Sequence, residues 1–567
     1  MGFAARQQGP RRRPRGHCRE TPTQIHRCLT HRPAPNPSLP DNNNSQETHM
    51  YLTQGLHRML QQRPHALATV FRDRRRTYAE LTDRVARLAG ALQKLGMQTG
   101  DRVGLLGLNS DRFLEYYLAT WWGGGVVNPV NIRWSVPEIV YSLDDCDTRI
   151  LMIDDTFLPM AEGIAGTAKV RPLLIHVGDG PTPDGMLSYE QLIRDTEPVD
   201  DAFRGGDDLA TILYTGGTTG RPKGVMQSHM NLWSAAVARA ADVPVPADAL
   251  TLHIAPMFHL AALSRVILIS LLGLPSIFVP AFDSLDVMRT IERERITDIL
   301  IVPTMLQALI MHPDFARHDL SCLRSLTYGA SPIAVPLLEL ALKALPNVEF
   351  TQGYGMTEAA PPISANGPEN HSAEGIANGR LRSAGRPGLG VTVRIVDEHD
   401  NEVPCGTVGE VIVRGPNIML GYWNKPEETA QALRGGWMHT GDGAYMDEDG
   451  YLYIVDRFKD MIVSGGENVY SGEVESAIAS HPSVAACAVI GIPCQRWGES
   501  VHAVIVLKPD TQVAGSEIIE HCRRQIAGYK TPKSVEFRVA LPLSGAGKVL
   551  KRDLREPFWA GKDRGVS

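Results

Sequence analysis

Cysteine is scarce in this chain. There are eight in 567 residues, at positions 18, 28, 146, 322, 405, 487, 494 and 522, with no C-x-x-C pair and no clustered histidines. That excludes a disulfide-stapled fold, argues against a zinc site, and fits reduced structural thiols in a cytoplasmic protein. A basic excess is also missing. The formal net charge is −6, so nothing points to a nucleic-acid partner. Long apolar runs are absent too: the most apolar stretch, VILISLLGLPSIFV (266–279), is 14 residues long and contains Pro275. A helix crossing a bilayer needs about 20 apolar residues, so this stretch reads as buried core and leaves only peripheral membrane contact open.

Residues 1–49 differ from the rest. Rich in Arg, Pro and Asn, they show no apolar periodicity and no secretory h-region. Their prolines argue against an amphipathic transit helix. The expectation is a disordered leader or a start-site artefact, because Met50 directly precedes the first patterned segment. From Tyr51 onward, helix-then-strand units recur. TYAELTDRVARLAGALQKLG (77–96) has helical spacing and precedes the apolar strand DRVGLLGLN; EIVYSLDDC precedes RILMID, and VMRTIERERI precedes TDILIVP. Such alternation predicts an α/β fold of parallel sheets covered by helices. After residue 390 short strands and turns predict an antiparallel piece. A chain this long exceeds one core, so residues 50–457 are expected to form a large N-terminal domain and residues 458–567 a small, mobile α+β C-terminal domain.

The stretch LYTGGTTGRPKGV (213–225) packs four glycines, three threonines and Lys223 together. The nucleotide-hydrolase P-loop needs Gly-Lys followed by Ser or Thr, and here Lys223 lies between Pro222 and Gly224. Backbone N–H groups of Gly216, Gly217 and Gly220, with the hydroxyls of Thr215, Thr218 and Thr219, can still form an anion nest. Four further stretches accompany it: QGYGMTE (352–358), MHTGDG (438–443), DRFKDMIVSGGENVYSGEVE (456–475) and LPLSGAGKVLKRDLR (541–555).

With these five in this order, the chain resembles the adenylate-forming superfamily, specifically the acyl-CoA synthetases, over residues 51–556. The resemblance implies a carboxylate activated by ATP as acyl-AMP and then transferred to coenzyme A. It implies that the 215–220 loop holds the phosphates and Lys223 steadies the leaving pyrophosphate. The family usually has Ser at position 216, so Gly216 loses one hydroxyl. Glu358 resembles the Mg2+ ligand, with Thr215 beside it. Gln352, Gly353, Tyr354, Gly355, Met356 and Thr357 would bind the nucleotide, with Tyr354 facing adenine and Gln352 bonding its amino group. Gly329, Ala330 and Ser331 of YGAS would line the other side of the base. Asp442 resembles the acceptor of both ribose hydroxyls, assisted by Arg457. Lys459 sits at the family's hinge, and Lys548 resembles its adenylation lysine. Gly465 and Gly466 would line the pantetheine tunnel, and Tyr529 and Lys530 lie where the family often contacts CoA.

Acyl specificity is less marked. PMFHLAAL (256–263) resembles the family's gate segment, placing His259 near the reacting carboxylate. Gly353 and Ala261 are expected to leave the acyl pocket open, with Trp233 and Tyr328 as apolar walls. No charged residue stands at these positions, which favours an apolar medium- to long-chain fatty acid. A shorter, aryl or thioether acid, a carrier protein as acceptor, a luciferase-like oxidative use of the adenylate, an inactive binding protein, and a homodimer stay open.

Overall fold

The computed structural model describes residues 50–215, 221–545 and 547–560. The leader and its expected disorder lie outside the described residues, as do Gly216, Gly217, Thr218, Thr219 and Gly220.

The first patterned helix spans Tyr78–Lys94. Its start is fixed by a capping box: the Thr77 hydroxyl accepts the Glu80 N–H at 3.3 Å, and the Glu80 carboxylate accepts the Thr77 N–H at 2.7 Å. Two of the helix's orphan donors are thereby satisfied. Leu81, Val85, Leu88, Ala89 and Leu92 are all buried, as their spacing predicts.

Two large sheets carry the chain's first three-quarters. One has nine strands, the other eight. In the first, Glu349–Tyr354, Ser325–Gly329, Asp298–Ile301, Thr251–His253, Ser276–Phe278 and Leu67–Phe71 lie side by side and parallel. In the second, Leu209–Thr215, Val126–Pro129, Arg102–Leu106, Ile150–Ile153 and Leu173–His176 do the same. Helices close the parallel connections, as such sheets require. The run 266–279 forms the end of helix Leu260–Leu272 and strand Ser276–Phe278, and much of it is core.

Helix Asp111–Trp122 is buried along its whole length. Charge is tolerated there only because it is paired. Arg74 and Arg76 both bind Asp111, and Arg84 binds Glu115 at 2.7 Å. Burial pushes the Asp111 carboxyl up, but Arg74 and Arg76 outweigh it and hold it below the usual range.

Beyond residue 390, Thr392–Val396, Gly409–Arg414, Met438–Met446 and Leu452–Arg457 form an antiparallel sheet of four strands. The C-terminal part builds another sheet from Ile462–Ser464, Glu467–Val469, Val484–Cys494, Gly498–Leu507 and Ser534–Phe537. Helices Ser471–Ala479, Gly515–Arg523 and Lys551–Trp559 accompany it. It has its own apolar cluster, which includes Ile462, Val474, Val489 and Ile505. Among the described residues no helix is long and apolar enough to cross a membrane, and the six described cysteines are unpaired.

Candidate active site

The candidate residues gather where strands of both large sheets end at their carboxyl termini, the usual ligand position in open α/β sheets. Thr215 closes the strand Leu209–Thr215. Lys223 opens the strand Lys223–Ser228, and the two residues are directly paired across an antiparallel hairpin. Thr215 and Lys223, which flank the glycine loop, are thus held together by the sheet. The nest itself lies outside the described residues.

Lys223 projects toward the ring of Tyr422, with its Nζ 4.9 Å from the ring centre. The Tyr422 hydroxyl donates to Glu358 Oε1 at 3.0 Å. Burial, reinforced by Glu358, keeps that hydroxyl protonated well above the usual tyrosine range. Glu358 is itself buried at 9% exposure, in a short turn of helix after Met356. Its backbone carbonyl accepts the Met419 N–H at 2.9 Å, while the Thr357 carbonyl accepts from Gln227 at 2.6 Å. The carboxylate that sequence assigns to magnesium and the lysine assigned to pyrophosphate thus share one tyrosine. Tyr422 has no glycine-rich signature around it, and its part in the site emerges only from the fold.

Asp442 and Arg457 are register partners on neighbouring antiparallel strands, and Arg457 Nε stands 3.2 Å from Asp442 Oδ1. The other carboxylate oxygen accepts the Tyr354 hydroxyl at 2.7 Å. Tyr354, expected to offer its face to adenine, also orients the carboxylate assigned to the ribose. Gly329 and Gly353 pair across neighbouring parallel strands. A Cβ on Gly329 would lie 2.3 Å from the Gly353 carbonyl oxygen, too close for any side chain. Ala330 follows with φ +67°, a left-handed conformation that costs a non-glycine residue strain. Ser331, Gly355 and Met356 continue from the same strand ends.

Lys548 reaches this cluster from the C-terminal part. Burial, then the Arg457 and Lys459 cations, push its ammonium down to about 8, against the pull of Asp442 and Glu358. Lys459 is pushed down to about 8 as well, by burial and Arg457. Two lysines near neutrality beside two carboxylates make a centre whose charge is readily altered by an incoming anion. His259 adjoins it at the N-terminus of helix Leu260–Leu272. Burial, then Lys548, with Arg133 adding to them, push its imidazole down to about 3, so the ring is neutral. Its Nε2 is buried and has no hydrogen-bond partner among the described residues.

The residues expected around the acyl group and the base have these surroundings. Tyr328, expected as an acyl-pocket wall, is 1% exposed and belongs to an apolar core cluster. Its hydroxyl is engaged with His371 Nε2 at 2.9 Å, so the ring is committed to packing. Trp233 lies half-buried on helix His229–Asp242 and donates its indole N–H to Gln54 at 3.2 Å. Ala261 is half-buried one residue into its helix. Gly353 keeps space: a Cβ there would meet only Pro362, at 3.9 Å. Gln352, expected on adenine, accepts from the Tyr328 hydroxyl at 3.4 Å.

Gly465 and Gly466 are the residues expected along the pantetheine route. They form a two-residue hairpin between paired Ser464 and Glu467, with φ +65° and +85°, the backbone that favours glycine at both central positions of such turns. Both are exposed. A Cβ on Gly465 would strike Trp497 at 2.7 Å, whereas one on Gly466 meets nothing within 4 Å. Tyr529 is likewise exposed, and Lys530 is paired to Glu473 at 2.7 Å. The residues assigned to CoA take no part in the described pairings around Glu358 and Asp442.

Comparison with known proteins agrees with this geometry. The family profile described as AMP-binding enzyme matches residues 56–423, and that of the AMP-binding enzyme C-terminal domain matches residues 473–548. The chain is 43% identical over 496 residues to a feruloyl-CoA synthase from Amycolatopsis sp., covering 87% of this chain and 96% of that one. It is 36% identical over 507 residues to the medium/long-chain-fatty-acid–CoA ligase FadD8 of Mycobacterium tuberculosis, covering 87% and 88%. The crystal structure of the anthranilate CoA ligase AuaEII with anthranoyl-AMP superposes with a TM-score of 0.83 at 29% identity, over 90% of this chain and 97% of that one. The chain belongs to the AMP-binding enzyme family, among its adenylate-forming carboxylate–CoA ligases.

Proposed function

We propose that the protein joins a carboxylic acid to ATP as acyl-AMP around Lys548, Glu358 and Asp442, then passes the acyl group to the thiol of coenzyme A. One observation carries this reading: a lysine from the C-terminal part sits inside the electrostatic reach of Glu358, Asp442 and Arg457 on the large part. In the first step a carboxylate oxygen bonds to the α-phosphorus and pyrophosphate departs with the electrons of the broken P–O bond. In the second, the thiol sulfur bonds to the carbonyl carbon, AMP leaves, and the thiol proton is released.

Negative charge concentrates on the α-phosphate and on the departing pyrophosphate, where fixed cations and N–H donors lower the barrier most. Lys548 would neutralise carboxylate and α-phosphate together. Lys223, with the Thr215–Gly220 loop, would hold the pyrophosphate. Asp442, oriented by Tyr354 and Arg457, would take the ribose hydroxyls, and Gln352, Gly353 and Gly329 to Ser331 would flank the base. Neutral His259 would lie beside the acid as an uncharged hydrogen-bonding group. Glu358 fits magnesium of the kind carried by substrate phosphates and steadied by one or two carboxylates. One of its oxygens is engaged by Tyr422, and among the described residues no three ligating side chains form a metal cluster of their own. Bound there, magnesium would neutralise phosphate charge.

Once Lys548 has acted it blocks the thiol's approach. Residues 458–567 are proposed to turn about Lys459 as a lobe, bringing the Gly465–Gly466 hairpin, Tyr529 and Lys530 toward the adenylate. Unpaired thiols suit work in the cytoplasm.

For the acid, an aromatic one of the hydroxycinnamate type is the first reading, supported by the 43% identity to the feruloyl-CoA synthase. The fatty acid expected from the sequence is the second, supported by the 36% identity to FadD8. A panel of hydroxycinnamates, benzoates and straight-chain acids, scored by pyrophosphate release, separates them. Adding CoA must then yield a thioester; transfer only to a carrier protein would reject the proposed acceptor. Lys548→Ala should abolish adenylation and spare thioester formation from supplied acyl-AMP.

A further inference from the structure

The loop bearing Lys548 is closed on itself largely through Ser544, by two backbone bonds and one from its side chain. Ser544 donates its N–H to the Lys548 carbonyl at 2.7 Å, and its hydroxyl accepts the Lys548 N–H at 3.1 Å. The Ser544 carbonyl accepts the Gly547 N–H at 2.9 Å, and a Leu543–Val549 bridge closes the loop's neck. The same carbonyl also accepts from Arg133 Nη1 at 2.9 Å. Arg133 lies in the segment after the parallel strand Val126–Pro129 of the large lobe, and its own N–H is fixed on Asn131 Oδ1 at 3.0 Å.

The two surfaces meet without spare room. A Cβ on Gly545 would fall 2.9 Å from Asn131 Oδ1 and 3.2 Å from both His259 Nε2 and Phe258 Cζ. One on Gly547 would fall 2.9 Å from Thr304 Oγ1. A second polar tie spans the lobes at Gln307, which donates to the Ala485 carbonyl at 2.8 Å. Lys548 owes its place to a backbone loop whose own anchor is a large-lobe arginine.

We propose that Arg133 and Ser544 are positioning residues for the adenylation step. Ser544 closes the loop around Lys548, and Arg133 fastens that loop to the large lobe. This rests on the role given to Lys548 above. With residues 458–567 turning as proposed above, the contact belongs to the half of the reaction that uses Lys548. An arginine-to-carbonyl bond of this kind is worth about tenfold in the equilibrium that seats the loop.

The test separates the half-reactions in the full chain. ATP–pyrophosphate exchange is measured with ferulate and, in parallel, with dodecanoate; thioester formation is measured from the corresponding supplied acyl-AMP and CoA. Arg133→Ala and Ser544→Ala should each lower exchange about tenfold and leave thioester formation within about twofold. Arg133→Lys, which keeps a donor, should recover part of the exchange. Equal losses in both half-reactions, or unchanged exchange in both variants, would overturn the inference. Should Arg133→Ala not fold, Arg133→Lys and Ser544→Ala still decide it, because a role in folding alone lowers both half-reactions together. Lys548→Ala serves as control: if it retains exchange, the reading of the site fails, whereas a dead Lys548→Ala beside a normal Arg133→Ala sinks only the positioning role.

Discussion

Raising the pH from 7 to 9 should switch off adenylation in the free enzyme, because the role proposed for Lys548 requires its proton to neutralise the carboxylate and α-phosphate. Burial and the neighbouring cations bring its pKa to about 8, against about 10.4 for a free lysine. The protonated fraction is then about ten-elevenths at pH 7 and about one-eleventh at pH 9, a tenfold loss. An unshifted lysine would leave the rate flat over that range. The sign is set by the charged form being the active one, so competence is full at low pH and disappears as pH rises through about 8. The assay is kcat/KM for acid-dependent ATP–pyrophosphate exchange, which reports groups of the free enzyme. His259, at about 3, adds no limb between pH 5 and 8. Lys459 titrates in the same range, and a variant distinguishes the two. Lys459→Gln removes a cation that depresses Lys548, so the limb should move to higher pH; were Lys459 the titrating group, the limb would vanish. A rate that stays level to pH 10 in the unmodified protein would refute the environment assigned to Lys548.

Three other outcomes are expected. His229 and His253 are buried, which pushes each down to about 3, below about 6.5 in the unfolded chain; stability is full above that value and is lost as pH falls toward 3, by about 2 kcal/mol per ring at pH 5. The urea midpoint should fall between pH 7 and pH 5, and an unchanged midpoint would contradict two neutral rings. Tyr354→Phe deletes the 2.7 Å bond that aims Asp442, so KM for ATP should rise about fivefold, corresponding to about 1 kcal/mol, with little change in kcat. Gly466→Leu places a side chain at φ +85° on an exposed hairpin, so adenylation should persist while thioester formation slows and acyl-AMP accumulates in a quenched-flow assay; slowing of adenylation alone would remove the hairpin from the CoA step.

Glycine, threonine and lysine at short spacing mark a candidate phosphate loop locally, since backbone donors, hydroxyls and one cation are all that an anion requires. The helix Tyr78–Lys94 and the alternation that builds the two large sheets were equally legible, being governed by neighbours within a few residues. Asp442, with Arg457 beside it, and Glu358 could be named from TGD, DRFKD and MTE, but not the tyrosine hydroxyls that meet them. The Tyr422 and Tyr354 hydroxyls meet those carboxylates because segments far apart in sequence come to one place.

By itself, then, the sequence determined the α/β architecture, the candidate phosphate loop and the ionisable groups available for the chemistry, because each depends on composition and spacing within one segment. Only the tertiary structure decided that Tyr328 is core, that the Gly465–Gly466 turn faces solvent, and that Arg133 reaches Ser544. Those outcomes depend on how separately folded pieces seat against each other, and the energies of that seating reside in contacts between residues that no local pattern relates.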